Sequence, residues 1–176
     1  MNYQLESKTI KLRLVEIDDA EYILSLRKNE KYNKYLSKVS STLEDQIEWL
    51  NKYKQKESTL DEFYFLILRN DGKKCGTIRV YDIIDNSFCW GSWILDENKT
   101  TTAAIESALL IYKFGFEIMN FSRSHFDVRK DNSAVISFHK KFNAHQINED
   151  SLNYYFEIFP NDIKKVNKKY SRFMEK

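Results

Sequence analysis

Apolar and charged residues alternate through Ile10-Lys11-Leu12-Arg13-Leu14, the period of a half-buried strand. Asp18 and Asp19 then precede Ala20, Tyr22, Ile23 and Leu26, a spacing that predicts a helix opened by an Asp cap and ending near Asn29 and Glu30. A second helix is expected with Ser41 or Thr42 as cap, Glu44 and Asp45 in its first turn, and Ile47, Trp49, Leu50 and Tyr53 behind them. The aromatic and β-branched run from Phe63 to Leu68 ends at Asn70-Asp71-Gly72, a hairpin signal. Its return strand carries Cys75, Thr77, Ile78 and Val80. Asp85-Asn86 turns the chain into a third antiparallel strand, from Phe88 to Leu95.

The period changes after Asp96. Ala103, Ala104, Ser107, Ala108, Leu110, Ile111 and Phe114 predict a helix of small and apolar residues reaching about Glu117. Ser124 to Val128 reads as a short strand, so the crossover should return it parallel and right-handed to the same sheet. Asp131 or Asn132 opens the next helix, with Val135, Ile136, Phe138 and Phe142 apolar, and Asn143 stands where a left-handed residue would stop it. Ile147 to Phe159 adds one or two strands, and a charged tail from Asp162 reads as helical.

Composition narrows this picture. The 176 residues, 42% of them hydrophobic, suit one domain over 1–176 with a continuous core. Lys and Arg number 28 against 26 Asp and Glu, a net charge of +2 that gives no footprint for nucleic acid. No run approaches the ~20 apolar residues of a membrane span, and no secretion signal opens the chain, so a cytoplasmic protein is expected. Cys75 and Cys89 fall in neighbouring predicted strands and could approach each other, but buried, reduced thiols are the preferred reading. Nothing supplies a metal framework, a Walker loop, a dinucleotide fingerprint or a Ser/His/Asp order.

Chemistry concentrates after the third middle strand. Lys99-Thr100-Thr101-Thr102-Ala103 opens a helix directly after a strand, where outward amides and the helix dipole would receive a diphosphate; ordinary capping is the competing reading. Asn132, Val135, Ile136 and His139 recur at helical offsets and share roughly one side, with His139 able to protonate a leaving sulfur or simply to pack beside Phe138 and Phe142. His125 and Asp127 share one strand face, as pocket lining or as a local polar pair. The wall from Arg27 to Tyr35 is another candidate acceptor contact set, in which Arg27, Asn29 and Glu30 offer charged and neutral groups for a polar acceptor, or a solvated helix end. Trp90 and Trp93, three apart, should face opposite sides of their strand, so at most one meets the groove.

Three stretches in order resemble the GCN5-related N-acetyltransferase superfamily, particularly its ribosomal-protein and aminosugar branch. They are Lys11-Leu12-Arg13-Leu14 before the Asp18-Asp19 helix, Trp93-Ile94-Leu95-Asp96 before the helix with Glu106-Ser107-Ala108-Leu109, and Val128-Arg129-Lys130-Asp131-Asn132 before Phe138-His139-Lys140-Lys141-Phe142. The likeness covers roughly residues 8 to 160. It implies an α/β (α+β) single domain, whose mixed and mostly antiparallel sheet of about six or seven strands is flanked by helices and splays at its centre. The splay would admit the pantetheine arm of acetyl-CoA. By the same resemblance, backbone near Trp93, Ile94 and Leu95 pairs with that arm, amides from Lys99 through Thr100, Thr101 and Thr102 to Ala103 receive the pyrophosphate, and Asn132 lies near the arm. His139 stands where many relatives place a thiolate-protonating Tyr.

Two departures are visible: Thr100-Thr101-Thr102 replaces a glycine-rich turn, and Asn143 replaces a glycine. The implied reaction is direct attack by a neutral amine in a ternary complex, with Glu30 or His125 assisting proton removal. The preferred acceptor is a small-molecule amine, the amino group of a nucleotide-linked sugar. Arg27, Asn29, Glu30, Trp90 and His125 are the candidate acceptor contacts. A protein N-terminus of ribosomal type is the runner-up, and a non-catalytic CoA-binding or interaction protein is the alternative class. A monomer or homodimer is expected, with no nucleic-acid or membrane partner and no metal.

Overall fold

The computed structural model describes residues 3–35 and 42–175. In chain order the elements are β1 (Gln4–Glu6), β2 (Ile10–Leu14), α1 (Ala20–Lys28), α2 (Leu43–Ser58), β3 (Phe63–Arg69), β4 (Lys74–Ile84), β5 (Ser87–Leu95), α3 (Ala103–Lys113), β6 (Arg123–Arg129), α4 (Ser133–Lys141), β7 (His145–Glu149), β8 (Asn153–Ile158) and α5 (Pro160–Tyr170). Among the described residues eight strands form one sheet, in the order β1-β2-β3-β4-β5-β6-β8-β7. Of these described strands only β5 and β6 run parallel. The count exceeds the expected six or seven because Gln4-Leu5-Glu6, too short for a periodic signal, pairs with β2, and the segment after α4 gives two strands.

Each face of the sheet buries its own apolar set. Ile10, Leu12, Phe65, Ile78, Val80, Phe88 and Phe126 pack with α3, α4 and α5, while Tyr64, Leu66 and Leu68 meet α1 and α2 through Ala20, Ile23, Leu50 and Tyr53. Thr42 caps α2, its hydroxyl accepting from the Asp45 amide at 3.1 Å; Ser41 lies outside the described residues. The expected Asp cap of α1 is replaced by a 3-10 turn over Ile17–Asp19. Asp19 turns back instead, accepting from Arg13 at 2.7 and 2.9 Å and from the Glu16 amide at 2.9 Å, with Lys74 at 2.8 Å. Two cations within reach outcompete a cap.

The small-residue helix leaves α geometry at Lys113 and finishes as a π turn over Phe114–Ile118. Gly115 in that turn sits against Phe88, where an added Cβ would lie 2.3 Å from the ring. Asn143 adopts φ 61° after α4, as its position predicted. The two cysteines do not approach each other. Cys75 lies beside Asp96, whose amide donates to its carbonyl at 3.0 Å, whereas Cys89 pairs with Tyr81. Their six-residue offset along β4 corresponds to about 20 Å. Both thiols are free, and burial pushes both up to about 12.

Candidate active site

The centre of the sheet splits. Pairing between β5 and β6 holds only at Ser87 with Arg123 and Phe88 with Ser124. Past those pairs β5 stays with β4 and β6 with β8, so the two strands diverge. A cleft of about 360 Å³ fills the gap, lined by β5 from Cys89 to Trp93, β6 from Phe126 to Arg129, and Asn132, Val135 and His139.

A bulge shapes the β5 wall. Between the pairs Thr77 with Ile94 and Arg79 with Gly91, one residue of β4 faces two of β5. Ser92 there adopts φ 45°, and its carbonyl accepts from the Thr77 hydroxyl at 3.2 Å. The extra residue reverses side-chain parity beyond it. Trp90 and Trp93 therefore line the same cleft, with ring centroids 5.4 Å apart, contrary to the expectation from simple alternation. Trp93 also donates from Nε1 to Ser107 of α3 at 3.2 Å and meets Phe138 of α4 at 5.0 Å. Gly91-Ser92 inside a strand was the available signal for this irregularity.

The opposite wall follows helical offsets. Asn132 is the N-cap of α4 but makes no side-chain capping bond, leaving its amide to the cleft. Val135 and His139 sit beside it, while Ile136 joins the core. His139 is 6% exposed, its ring 4.2 Å from Phe126 and 5.3 Å from Trp90 between centroids. Burial drives its pKa down to about 3, so the imidazole is neutral near pH 7. Its Nδ1 has no hydrogen-bond partner among the described residues.

The triple-threonine turn is organised from below. Glu106, in the first turn of α3 and fully buried, accepts from the Ser7 hydroxyl at 2.6 Å, the Thr9 amide at 2.8 Å and the Thr9 hydroxyl at 2.6 Å, and also from the Thr102 hydroxyl. Thr100 and Thr9 share a hydrogen bond of 2.6 Å between hydroxyls. Two of the three threonine side chains are thus engaged inside the protein, and Thr101 and Lys99 are exposed. Ala103 starts the helix and is buried, as is Ile94, while Leu95 is half-buried. What an anion would meet here is backbone at a helix N-terminus.

On the remaining side, residues following α1 cross the mouth. The Tyr32 hydroxyl donates to Glu97 at 2.7 Å on one rim, and the Tyr35 hydroxyl donates to the Asp131 carbonyl at 3.3 Å on the other. Both tyrosines line the cleft, as does Tyr81. Tyr32 and Tyr35 belong to the stretch from Arg27 to Tyr35 expected beside the acceptor, where Arg27, Asn29 and Glu30 were the residues singled out; Tyr81 carries no periodic signal of its own. Arg27, Asn29 and Glu30 lie outside the lining: Arg27 is buried, Asn29 and Glu30 are exposed, and the Asn29 side chain accepts from the Lys31 amide at 3.0 Å. His125 also lies outside it. Its ring nitrogens are held by Ser87 at 2.7 Å and Asp82 at 3.0 Å, beside the last β5–β6 pair.

Among the described residues no group of His, Cys, Asp and Glu could hold a metal, and no helix is long and apolar enough to cross a membrane. Residues 9–145 match the family described as Acetyltransferase (GNAT) domain. No curated protein matches. The structure is similar to apo FdhC, a nucleotide-linked sugar GNAT, with 46% identity, 99% of both chains covered and a TM-score of 0.92. It is also similar to a ribosomal-protein-S5-alanine acetyltransferase from Vibrio fischeri, with 16% identity, 91% of this chain and 98% of that one covered, and a TM-score of 0.78. A spermidine N-acetyltransferase SpeG mutant from Vibrio cholerae matches at 15% identity and a TM-score of 0.74, over 90% of this chain and 98% of that one. At such identities the last two show the fold alone.

Proposed function

Because the chain belongs to the GNAT acetyltransferase family, we propose that it transfers an acetyl group from acetyl-CoA to the amine of a nucleotide-linked amino sugar. The observation that carries this reading is the end of β5–β6 pairing at Phe88 and Ser124, which opens a cleft bounded by a bulge, an uncommitted Asn132 and a buried, unpartnered His139 nitrogen. Such a site fits an extended amide-bearing arm better than a closed hydrophobic pocket. The choice of acceptor rests on similarity to the nucleotide-linked sugar GNAT over nearly the whole chain.

Bound acetyl-CoA would supply an activated thioester. Asn132 would hold the amides of its arm, and backbone from Trp93 to Leu95 would pair alongside them. The first turn of α3, from Lys99 to Ala103, would receive the diphosphate through backbone amides, because the Thr100 and Thr102 hydroxyls are engaged. Backbone amides at the bulge would polarise the carbonyl. His139, neutral in its buried position, would present an N–H to the departing sulfur.

Release of CoA thiol, followed with a panel of nucleotide-linked amino sugars, N-terminal peptides and polyamines, tests this. Turnover should be highest with an amino sugar, and H139A should lower kcat by about 100-fold while changing acetyl-CoA affinity less. A preference for peptides would overturn the acceptor assignment. Equal loss of turnover and affinity in H139A would make the histidine structural.

A further inference from the structure

We infer that Asp127 is the group that binds the acceptor's ammonium and takes its proton. This rests on the acetyl-transfer reading but not on which amine is the acceptor. Asp127 lies on β6 in the cleft lining, and its carboxylate has no hydrogen bond or ion pair among the described residues. Continuing the parallel register from Ser87 with Arg123 and Phe88 with Ser124 sets Asp127 level with Gly91, at the edge of the β5 bulge. It therefore stands across the gap from the backbone that would polarise the acetyl carbonyl.

Alternation along β6 fixes the side from which it acts. Phe126 and Val128 are buried against the α3 and α4 side, where Phe126 meets His139, while Asp127 points to the other face of the sheet. The charge of Asp127 raises Tyr81 and Cys89 slightly across the gap and also Tyr155, its cross-strand partner on β8. Donor-side and acceptor-side groups thus occupy opposite faces of the split. The other carboxylates of this neighbourhood are occupied: Asp82 holds His125, Asp96 accepts from Tyr22, and Glu97 accepts from Tyr32.

An amine reaches the cleft largely as an ammonium ion, which has no lone pair to attack with. Asp127 accepts one proton and leaves a neutral amine. The nitrogen–carbon bond then forms as the carbon–sulfur bond breaks; sulfur takes its proton from His139, and the second nitrogen proton makes good that loss, so the products are an amide and CoA thiol. Asp127 returns its proton to water. Attack draws the proton transfer forward by consuming the free amine.

The test pairs binding with turnover in the full-length protein. Calorimetry would measure affinity for a nucleotide-linked amino sugar and for its counterpart bearing a hydroxyl in place of the amine. D127N should weaken the amine compound at least about tenfold and leave the hydroxyl compound and acetyl-CoA unchanged; kcat/KM should fall about 100-fold, with partial recovery in D127E. If wild type acetylates a peptide or polyamine instead, the sugar reading fails, and the same loss of turnover in D127N on that amine still supports Asp127. Wild-type turnover in D127N on the amine that wild type uses would overturn the assignment alone. Inactivity of wild type on every amine would overturn it together with the proposed function.

Discussion

Substituting Glu106 is expected to separate the contribution of its charge from that of its shape. The carboxylate is 0% exposed and accepts from Ser7, from the Thr9 amide and hydroxyl, and from Thr102. Hydrogen bonds to a charged group contribute about 1.5–3 kcal/mol, and neutral ones about 0.5–1.5. In E106Q the amide oxygen can take the place facing Ser7 and the Thr9 N–H, while its NH2 donates to threonine hydroxyls that rotate to accept. Only charge assistance is lost, so a cost of about 2 kcal/mol is expected. E106A leaves the Thr9 N–H without an acceptor and removes every bond, for about 4 kcal/mol.

Burial raises the Glu106 carboxyl, but the donors from Ser7, Thr102 and Thr9 outweigh it and hold the group below its ordinary value of 4.5. A lowered native pKa means the stabilisation is complete above 4.5 and is lost as the pH falls through the native value, so the gap between wild type and E106Q should close in acid. Urea denaturation at a series of pH values, with acetyl-CoA affinity measured alongside, reads both effects. E106A within about 1 kcal/mol of wild type at neutral pH, or equal to E106Q, would refute the reasoning.

Further outcomes follow from other contacts. G115A should destabilise the protein by about 1–3 kcal/mol by driving a methyl into Phe88; a melting temperature at or above wild type would show that the ring yields. Asp19, buried but held at about 2 by hydrogen bonds from Arg13, Lys74 and the Glu16 amide, contributes stability above its ordinary 3.8 that is lost as the pH falls through about 2, so D19N should remain less stable than wild type at pH 4; equal urea midpoints there would contradict this. His139, buried neutral, must gain a proton on unfolding below its ordinary 6.5, so stability should fall from pH 7 towards pH 4 less steeply in H139Q than in wild type, and parallel profiles would count against the burial argument. Thiol titration of the unreduced, denatured protein should find both cysteines free, and a reducing agent should leave the melting temperature unchanged.

The sequence made the order of elements legible because hydrophobic period and turn chemistry agree along most of the chain. Thr42, Asn70-Asp71-Gly72, Asp85-Asn86 and Asn143 each stand at the boundary their chemistry suits. Asn132 and His139 were readable as neighbours because α-helical spacing is rigid, and both line the cleft. Trp90 and Trp93 misled because alternation assumes an unbroken ladder, and the extra residue at Ser92 is specified by pairing with a strand distant in sequence. The same holds for Thr100 and Thr102, whose hydroxyls look free until Glu106 and Thr9 are brought beneath them by the fold. The wall from Arg27 to Tyr35 was legible as a stretch, but within it Arg27, Asn29 and Glu30 were singled out for their chemistry, whereas the chain presents Tyr32 and Tyr35 at the cleft, where contact across the mouth decides position.

The bulge in β5 also sets a rule for how this site can vary. With a single residue added to one strand, the core and the cleft share one stretch of chain but are read in different frames on either side of Ser92. Substitutions near it adjust the shape of the cavity locally. Removal of that residue would exchange inside for outside along the strand beyond it, turning the Trp93 indole away from α3 and bringing Ile94 towards it. Lineages sharing this architecture are therefore free to exchange side chains on the cleft wall, but changes of length there must come in pairs.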